Sequence, residues 1–128
     1  MSLEKGKTYH WAKILDELDA EDTPPRYVLH RDGHVVGFAL NRWQNPKARD
    51  EVLVGYEESR EQFAEIFITE RPVVPVLIKE KEADDVWRCA GYFKLQRVSD
   101  EPADKNRRVK PFDIPAIFKI LFLTEVPT

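Results

Sequence analysis

The amino-acid sequence predicts an α+β fold: a small curved antiparallel sheet or β-barrel of about six strands with two flanking helices. Three observations carry that expectation. The hydrophobic patterns run in the order α-β-β-β-α-β-β-β, with no internal repeat and no βαβ rhythm of roughly 30 residues. Mostly antiparallel neighbours, together with two helical patterns, favour a curved sheet plugged by helices. The longest strand pattern, VWRCAGYFKLQRV (86–98), carries Gly91 in its interior, where a strand bends or bulges at a barrel corner.

The first helix lies in TYHWAKILDELDAE. Thr8 can cap it, Trp11, Ile14, Leu15 and Leu18 form one apolar stripe, and Thr23-Pro24-Pro25 stops it. That stripe makes Trp11 a core residue. RYVLH-RDG-HVVGFAL reads as a hairpin whose three-residue loop, Arg31-Asp32-Gly33, puts Gly33 at a positive-φ position. EVLVGY is a short strand. EESREQFAEIFITE (57–70) is a second helix, with Phe63, Ile66 and Phe67 on one face and an acid-rich first turn that suits the helix dipole. VVPVLIK (73–79) is a strand that Pro75 moves toward an edge or a bulge. KEKEADD is a charged turn. In the strand over 86–98, alternation sets Trp87 and Phe93 on one face and Tyr92 on the other. SDEPADKNRRVK (99–110) reads as a polar, mobile loop. IPAIFKILFLTEV is either a strand covered on both faces or a short buried helix, which periodicity does not separate.

One domain is expected over residues 1–128, standing alone or cut from a larger chain. Apolar residues at 42% and charged residues at 34% describe a well-solvated globular domain. No window holds the ~18–20 continuous apolar residues of a membrane span, and MSLEKGKTYHWAK lacks the apolar core of a secretory signal. Cys89 is the single cysteine, which excludes an intramolecular disulfide and fits a reducing, cytoplasmic setting. A net charge of −3 argues against coating nucleic acid by bulk charge. The distribution is uneven, however. Acids gather in DELDAED (16–22) and EESRE (57–61), and bases in NRWQNPKAR and KNRRVK (105–110). A local basic face on an acidic protein is compatible with that pattern.

Signatures of catalysis are missing. No Glu-x-Lys of the restriction-nuclease type occurs, and His10, His30 and His34 lack the spacing of a ββα-metal site. His30 and His34 flank the hairpin loop but have no clear third ligand to complete a metal site. Cys89 sits in a strand, as a small core residue does. Ser59 and Ser99 belong to no Gly-x-Ser-x-Gly elbow, and no glycine-rich phosphate loop exists. Glu57-Glu58 and Asp84-Asp85 read as solvated charge. Neither catalysis nor a cofactor is expected.

The segment LNRWQNPKAR (40–49) strands an indole among amides and cations. Trp43 has two readings: it folds back to cap the core, or it forms a stacking platform for a base, worth roughly 1–3 kcal/mol. On the second reading Asn41, Gln44 and Asn45 read the edge of the base, while Arg42, Lys47 and Arg49 hold flanking phosphates. Lys105, Arg107 and Arg108 of KNRRVK would form a second phosphate contact or, more simply, a solvated loop.

The run from TPPRYVLHRDGHVVGFAL through NPKARDEVLVGY to VPVLIKEKEADDVWRCAGYFKL resembles the PUA-like superfamily, specifically the SRA-like domains of modification-dependent restriction systems. The Val-Pro-Val strand, the charged turn, the strand with Trp87 and Gly91-Tyr92, and the closing IFKILFLTEV carry the resemblance. It implies a PUA-like β-barrel with a pocket for a base extruded from DNA, a function without catalysis of its own, and a nuclease fused to it or acting as a separate partner. It also implies pocket walls from Trp43 with Tyr27 or Tyr92, and edge contacts from Asn41, Asn45 and Asp50. SRA domains of the better-known kind are longer and more basic. The competing expectation is an acidic protein-interaction module, of adaptor or immunity type, that uses DELDAED and EESRE against a basic partner.

Overall fold

Two successive residues with positive φ, Asp32 (50°) and Gly33 (79°), turn the chain between the strands Val28–Arg31 (β2) and His34–Asn41 (β3). A two-residue strand, Thr8–Tyr9 (β1), and a helix, Trp11–Leu18 (α1), precede them. The computed structural model describes residues 3–112 and 116–127. The turn is one residue shorter than the loop expected, because Arg31 pairs directly with His34. Asp-Gly suits the two left-handed positions of a type I′ turn.

The chain continues through Glu51–Gly55 (β4), Glu58–Glu70 (α2), Val74–Lys79 (β5), Trp87–Ser99 (β6), Pro102–Phe112 (α3) and Ile117–Val126 (β7). The fold is α+β. Six strands form one curled sheet in the order β2-β3-β5-β6-β7-β4, and β1 adds to β6. Pairing is antiparallel except between β3 and β5, which run parallel because β4 and α2 form a crossover between them. The expected edge or bulge at Pro75 is a bulge. β5 is interior, and its register against β6 shifts between Pro75 and Leu77.

The described residues form three helices rather than two. Most of the segment expected to be a mobile loop is α3. Pro102 opens it at the first helical position, where a missing N–H costs nothing. Ser99 Oγ donates to Asp104 Oδ2 at 2.6 Å, and Asp104 also pairs with Arg107 one turn on. The closing segment is a strand, held by β6 on one side and β4 on the other.

A bulge resets β6. Pro75 and Leu77 of β5 span two positions while their partners Tyr92 and Cys89 span three, and Gly91 sits between them at φ 120°. Trp87 and Phe93 therefore lie on opposite faces, contrary to simple alternation. Trp87 packs beside α1, and Phe93 points into the main core.

That main core draws on all six strands of the path, with Val28, Phe38, Val76, Phe93, Leu121 and Val52 each contributing, so it is the inside of the curl. α2 closes it through Ala64 and Phe67, and the Phe67 ring meets Phe38 edge-on at 4.9 Å. On the outer face α1 lays Ile14 and Leu18 on Leu29, Ala39, Leu77 and Cys89. Gly37 permits that approach, since a Cβ there would stand 3.0 Å from Leu29 Cδ1 and 3.3 Å from Leu18 Cδ1. α3 covers a third, smaller cluster of Leu53, Ile117, Ile120 and Phe122 through Val109. No helix among the described residues is long and apolar enough to cross a membrane.

Candidate ligand cleft

The parallel strands end side by side, with Asn41 of β3 opposite Lys79 of β5. The Arg42 N–H bonds the Lys79 carbonyl at 3.1 Å and ties the loop after β3 to the end of β5. At these strand ends lies a cleft of about 460 Å³. Trp11 and Trp87 contribute two indoles to it, with ring centroids 5.4 Å apart and planes inclined at 42°. Tyr27 and Arg60 contribute a stacked pair, the guanidinium carbon standing 5.7 Å from the centre of the phenol ring. Ala39, Asn41, Gln44 and Lys79 lie between, with Arg26 and Asp85 at the margins.

Each group is held by its neighbours. Trp11 Nε1 donates to Asp22 Oδ1 at 3.2 Å, and Arg26 Nε donates to the same oxygen at 3.2 Å. These two donors, Trp11 first, hold the Asp22 carboxyl below its ordinary 3.8. Lys79 Nζ sits 5.7 Å from the centre of the Trp87 ring. Asn41 turns inward, accepting from the Gln44 N–H at 2.8 Å and donating to Gln44 Oε1 at 3.1 Å. This Asx-type turn spends the Asn41 amide and leaves the Gln44 NH₂ group as a donor. Burial pushes the Tyr27 phenol well above its ordinary 10.0, so it stays neutral, and its O–H donates to the Arg60 carbonyl at 3.4 Å.

A second cavity, of about 80 Å³, adjoins the first and shares Tyr27, Gln44 and Arg60 with it. Gly55 at the end of β4 lines it, as does Tyr27 just ahead of β2, so the curled sheet brings its two edge strands to one place. Asn45 is buried there and accepts from the Leu53 N–H at 2.8 Å.

Of the residues singled out in the sequence, Tyr27, Asn41 and Gln44 meet at the cleft and Asn45 at the adjoining cavity. Trp43 lies outside both linings, 42% exposed. It does not cap the core. Arg42 is engaged by Glu80, at 3.0 Å, and by the Ala48 carbonyl. Arg49 bonds Glu125 at 2.7 Å and covers Phe93, while Asp50 is exposed beside it. Lys47 is exposed on the same loop. Tyr92 is buried under the N-terminal segment, its O–H bonded to the Leu3 carbonyl at 2.8 Å. In α3, Lys105 pairs with Asp100, Arg107 with Asp104, and Arg108 with Glu51. Lys105 and Arg108 are largely covered in these pairs, whereas Arg107 stays 70% exposed.

The two hairpin histidines part company. His30 is buried, stacked on Phe63 at 4.5 Å and bonded to Glu21, whereas exposed His34 bonds Glu70. Among the described residues no three His, Cys, Asp or Glu side chains converge as a metal site would need.

The cleft adds Trp11, Trp87, Arg26, Arg60, Lys79 and Asp85, which the sequence did not single out as ligand-contacting. Trp11 and Trp87 were absorbed by their apolar patterns, and Arg60 by the acidic run around it. The one available signal was an indole at the end of an element, since Trp11 opens α1 and Trp87 opens β6. In comparisons of the chain with protein-family models, curated proteins and solved structures, none matched.

Proposed function

We propose that the protein is a non-catalytic nucleic-acid reader that takes one base, modified or flipped out of its duplex, into the cleft between Trp11, Trp87 and Tyr27. The observation that carries this reading is the make-up of the cleft: three aromatic rings, two amides and three cations gather at the ends of the parallel strands. A planar base set against an aromatic ring gains roughly 1–3 kcal/mol. Extrusion from a duplex costs a few kcal/mol, so stacking has to be joined by contacts to the base edge. The Gln44 NH₂ group and the Asp85 carboxylate supply a donor and an acceptor. Arg60 and Lys79 supply local positive charge on an otherwise acidic protein, as a phosphate strand requires. The resemblance of the sequence to PUA-like, SRA-like domains points the same way, with cleavage left to a fused or separate nuclease.

Fluorescence anisotropy with labelled duplexes, plain and carrying modified cytosines, tests this at about 50 and 200 mM salt. The expected result is salt-sensitive binding that tightens for one modified base. No binding to duplex, single strand or RNA at the lower salt contradicts the reading.

A different surface favours the alternative, an acidic protein-interaction module. Glu58, Glu61 and Glu65 rim an open groove of about 760 Å³ that has Ile66 and Phe118 in its lining. Tyr56, 60% exposed, stands 5.7 Å from the Phe118 ring. A basic segment with an apolar anchor is the partner such a groove fits. DELDAED takes little part, because Glu17, Glu21 and Asp22 are engaged by Lys13, His30 and Arg26. Titration with a synthetic Lys/Leu helical peptide separates the readings: binding that Glu58→Lys/Glu61→Lys abolishes supports the module, and no binding removes it.

A further inference from the structure

Three cations line the cleft, and they are not equivalent. Arg26 is committed, with Nε on the Asp22 carboxylate and Nη2 reaching the Asp22 carbonyl. Lys79 rests its ammonium over the Trp87 ring. Arg60 is held in another way. Its guanidinium stands beside the Tyr27 ring and so close to Gly55 that a Cβ there would lie 3.1 Å from Nη1. Its Nε is shut off from solvent and has no hydrogen-bond partner. Glu57 Oε2 forms an ion pair with that nitrogen at 3.6 Å, too long for a hydrogen bond. An orphaned Nε donor is unusual, since native structures normally satisfy such groups, while the Arg60 side chain as a whole stays 43% exposed and open to a ligand. Arg60 is also one of the groups shared by the two cavities, so it stands at the boundary between the larger, aromatic space and the smaller one.

We propose that Arg60 is the phosphate-binding residue of this cleft, and that the ligand is a nucleotide whose ring occupies the larger cavity and whose phosphate meets the Arg60 guanidinium at the smaller one. This assignment rests on the base-binding reading above. The chemistry suits a phosphate. The planar fork of a guanidinium matches two phosphate oxygens, and an ammonium does not. Stacking on Tyr27 and seating against Gly55 hold the fork in advance, which lowers the ordering cost of binding. The terminal group of a free mononucleotide and a link in a strand present the same oxygens to the fork.

The test follows indole fluorescence in wild type, Arg60→Gln, Arg60→Lys and Gly55→Ala. The probes are deoxycytidine and 5-methyldeoxycytidine, their 5′-monophosphates, and trinucleotides centred on the same bases. In wild type the phosphate-bearing probe is expected to bind about tenfold more tightly than the nucleoside. That ratio falls to near one in Arg60→Gln and is partly kept in Arg60→Lys. It falls also in Gly55→Ala, whose Cβ displaces the guanidinium without removing its charge. An advantage in the monophosphate arm identifies a free nucleotide, and one confined to the trinucleotide identifies a strand; both support the assignment. Nucleosides that bind as tightly as their phosphates, or a phosphate advantage that survives Arg60→Gln, overturn it and leave the base pocket standing. No indole response to any probe overturns the pocket and the assignment together.

Discussion

Trp11 and Trp87 lie far apart in the sequence, one opening α1 and one opening β6, and meet with ring centroids 5.4 Å apart at the mouth of a single cleft. Neither belongs to the main core inside the curl. Both belong to the outer cluster beneath α1, partly buried, with one edge packed and one edge lining open space. Their contact links the outer packing of α1 to the proposed site.

Substituting the indoles should separate the pocket from its surroundings. Trp87→Leu keeps apolar volume under α1 but loses the stacking face, so oligonucleotide affinity is expected to fall about tenfold, with a modest loss of Tm. Trp43 belongs to none of the apolar clusters, so Trp43→Ala should change stability by less than about 1 kcal/mol. If a strand passes over the cleft, the exposed Trp43 indole should still matter for oligonucleotides and not for nucleosides. Anisotropy and nucleoside titration on the two variants check both statements.

The Glu51–Arg108 pair should behave as structure and not as a phosphate clamp. Both side chains are almost buried, and the bonds are bidentate at 2.8 and 2.9 Å, with Arg108 Nη1 also on the Asp104 carbonyl. Removing one partner of a buried pair leaves the other uncompensated. Arg108→Ala should therefore destabilise by about 3 kcal/mol in urea unfolding. The salt dependence of any nucleic-acid binding should stay as it is in wild type.

Acid should loosen the site. Arg42 and then Arg88 hold the Glu80 carboxyl below its ordinary 4.5, and Lys5 and then Arg49 do the same for Glu125. Asp22 is depressed as well. For each of these groups the unfolded chain binds protons more readily than the folded one. Their stabilisation is therefore complete above the ordinary carboxylate range and is lost as pH falls through the depressed folded values. Tm measured by circular dichroism should hold level down to about pH 5 and decline below it. Glu80→Gln, which frees the loop after β3 from the turn after β5, should flatten part of that decline.

One surface change should stabilise. Arg71 ends α2 in the left-handed conformation at φ 51°, its N–H bonded to the Phe67 carbonyl at 2.8 Å. Glycine carries no Cβ penalty there, so Arg71→Gly is expected to raise stability by up to about 1 kcal/mol in urea unfolding.

Much of the fold was legible because its signals are local. The stripe of α1, the Asp-Gly turn and the Pro75 bulge each follow from a few adjacent residues. The parallel pairing of β3 with β5 was not legible, since it depends on β4 leaving for the far edge of the sheet. The α3 helix was hidden because its residues are polar, and it is held by pairs such as Ser99–Asp104 and Arg108–Glu51 rather than by an apolar stripe. The site followed the same division. Trp43 drew notice as an indole among polar neighbours, yet its loop folds with Asn41 and Asn45 turned inward and the indole outward. Trp11 and Trp87 looked like core because a residue at the margin of a core carries the same periodicity as one at its centre. Arg60 was masked by three glutamates within four residues of it, Glu57, Glu58 and Glu61.

The most direct test of the base pocket is the ¹⁵N–¹H spectrum of the three tryptophan indoles, assigned with single Trp→Phe variants and recorded as a short oligonucleotide carrying a modified cytosine is added. The account requires the Trp11 and Trp87 indole resonances to shift together and saturate at one equivalent of bound base. Resonances of Trp11 and Trp87 that stay in place while binding occurs elsewhere on the protein would contradict it.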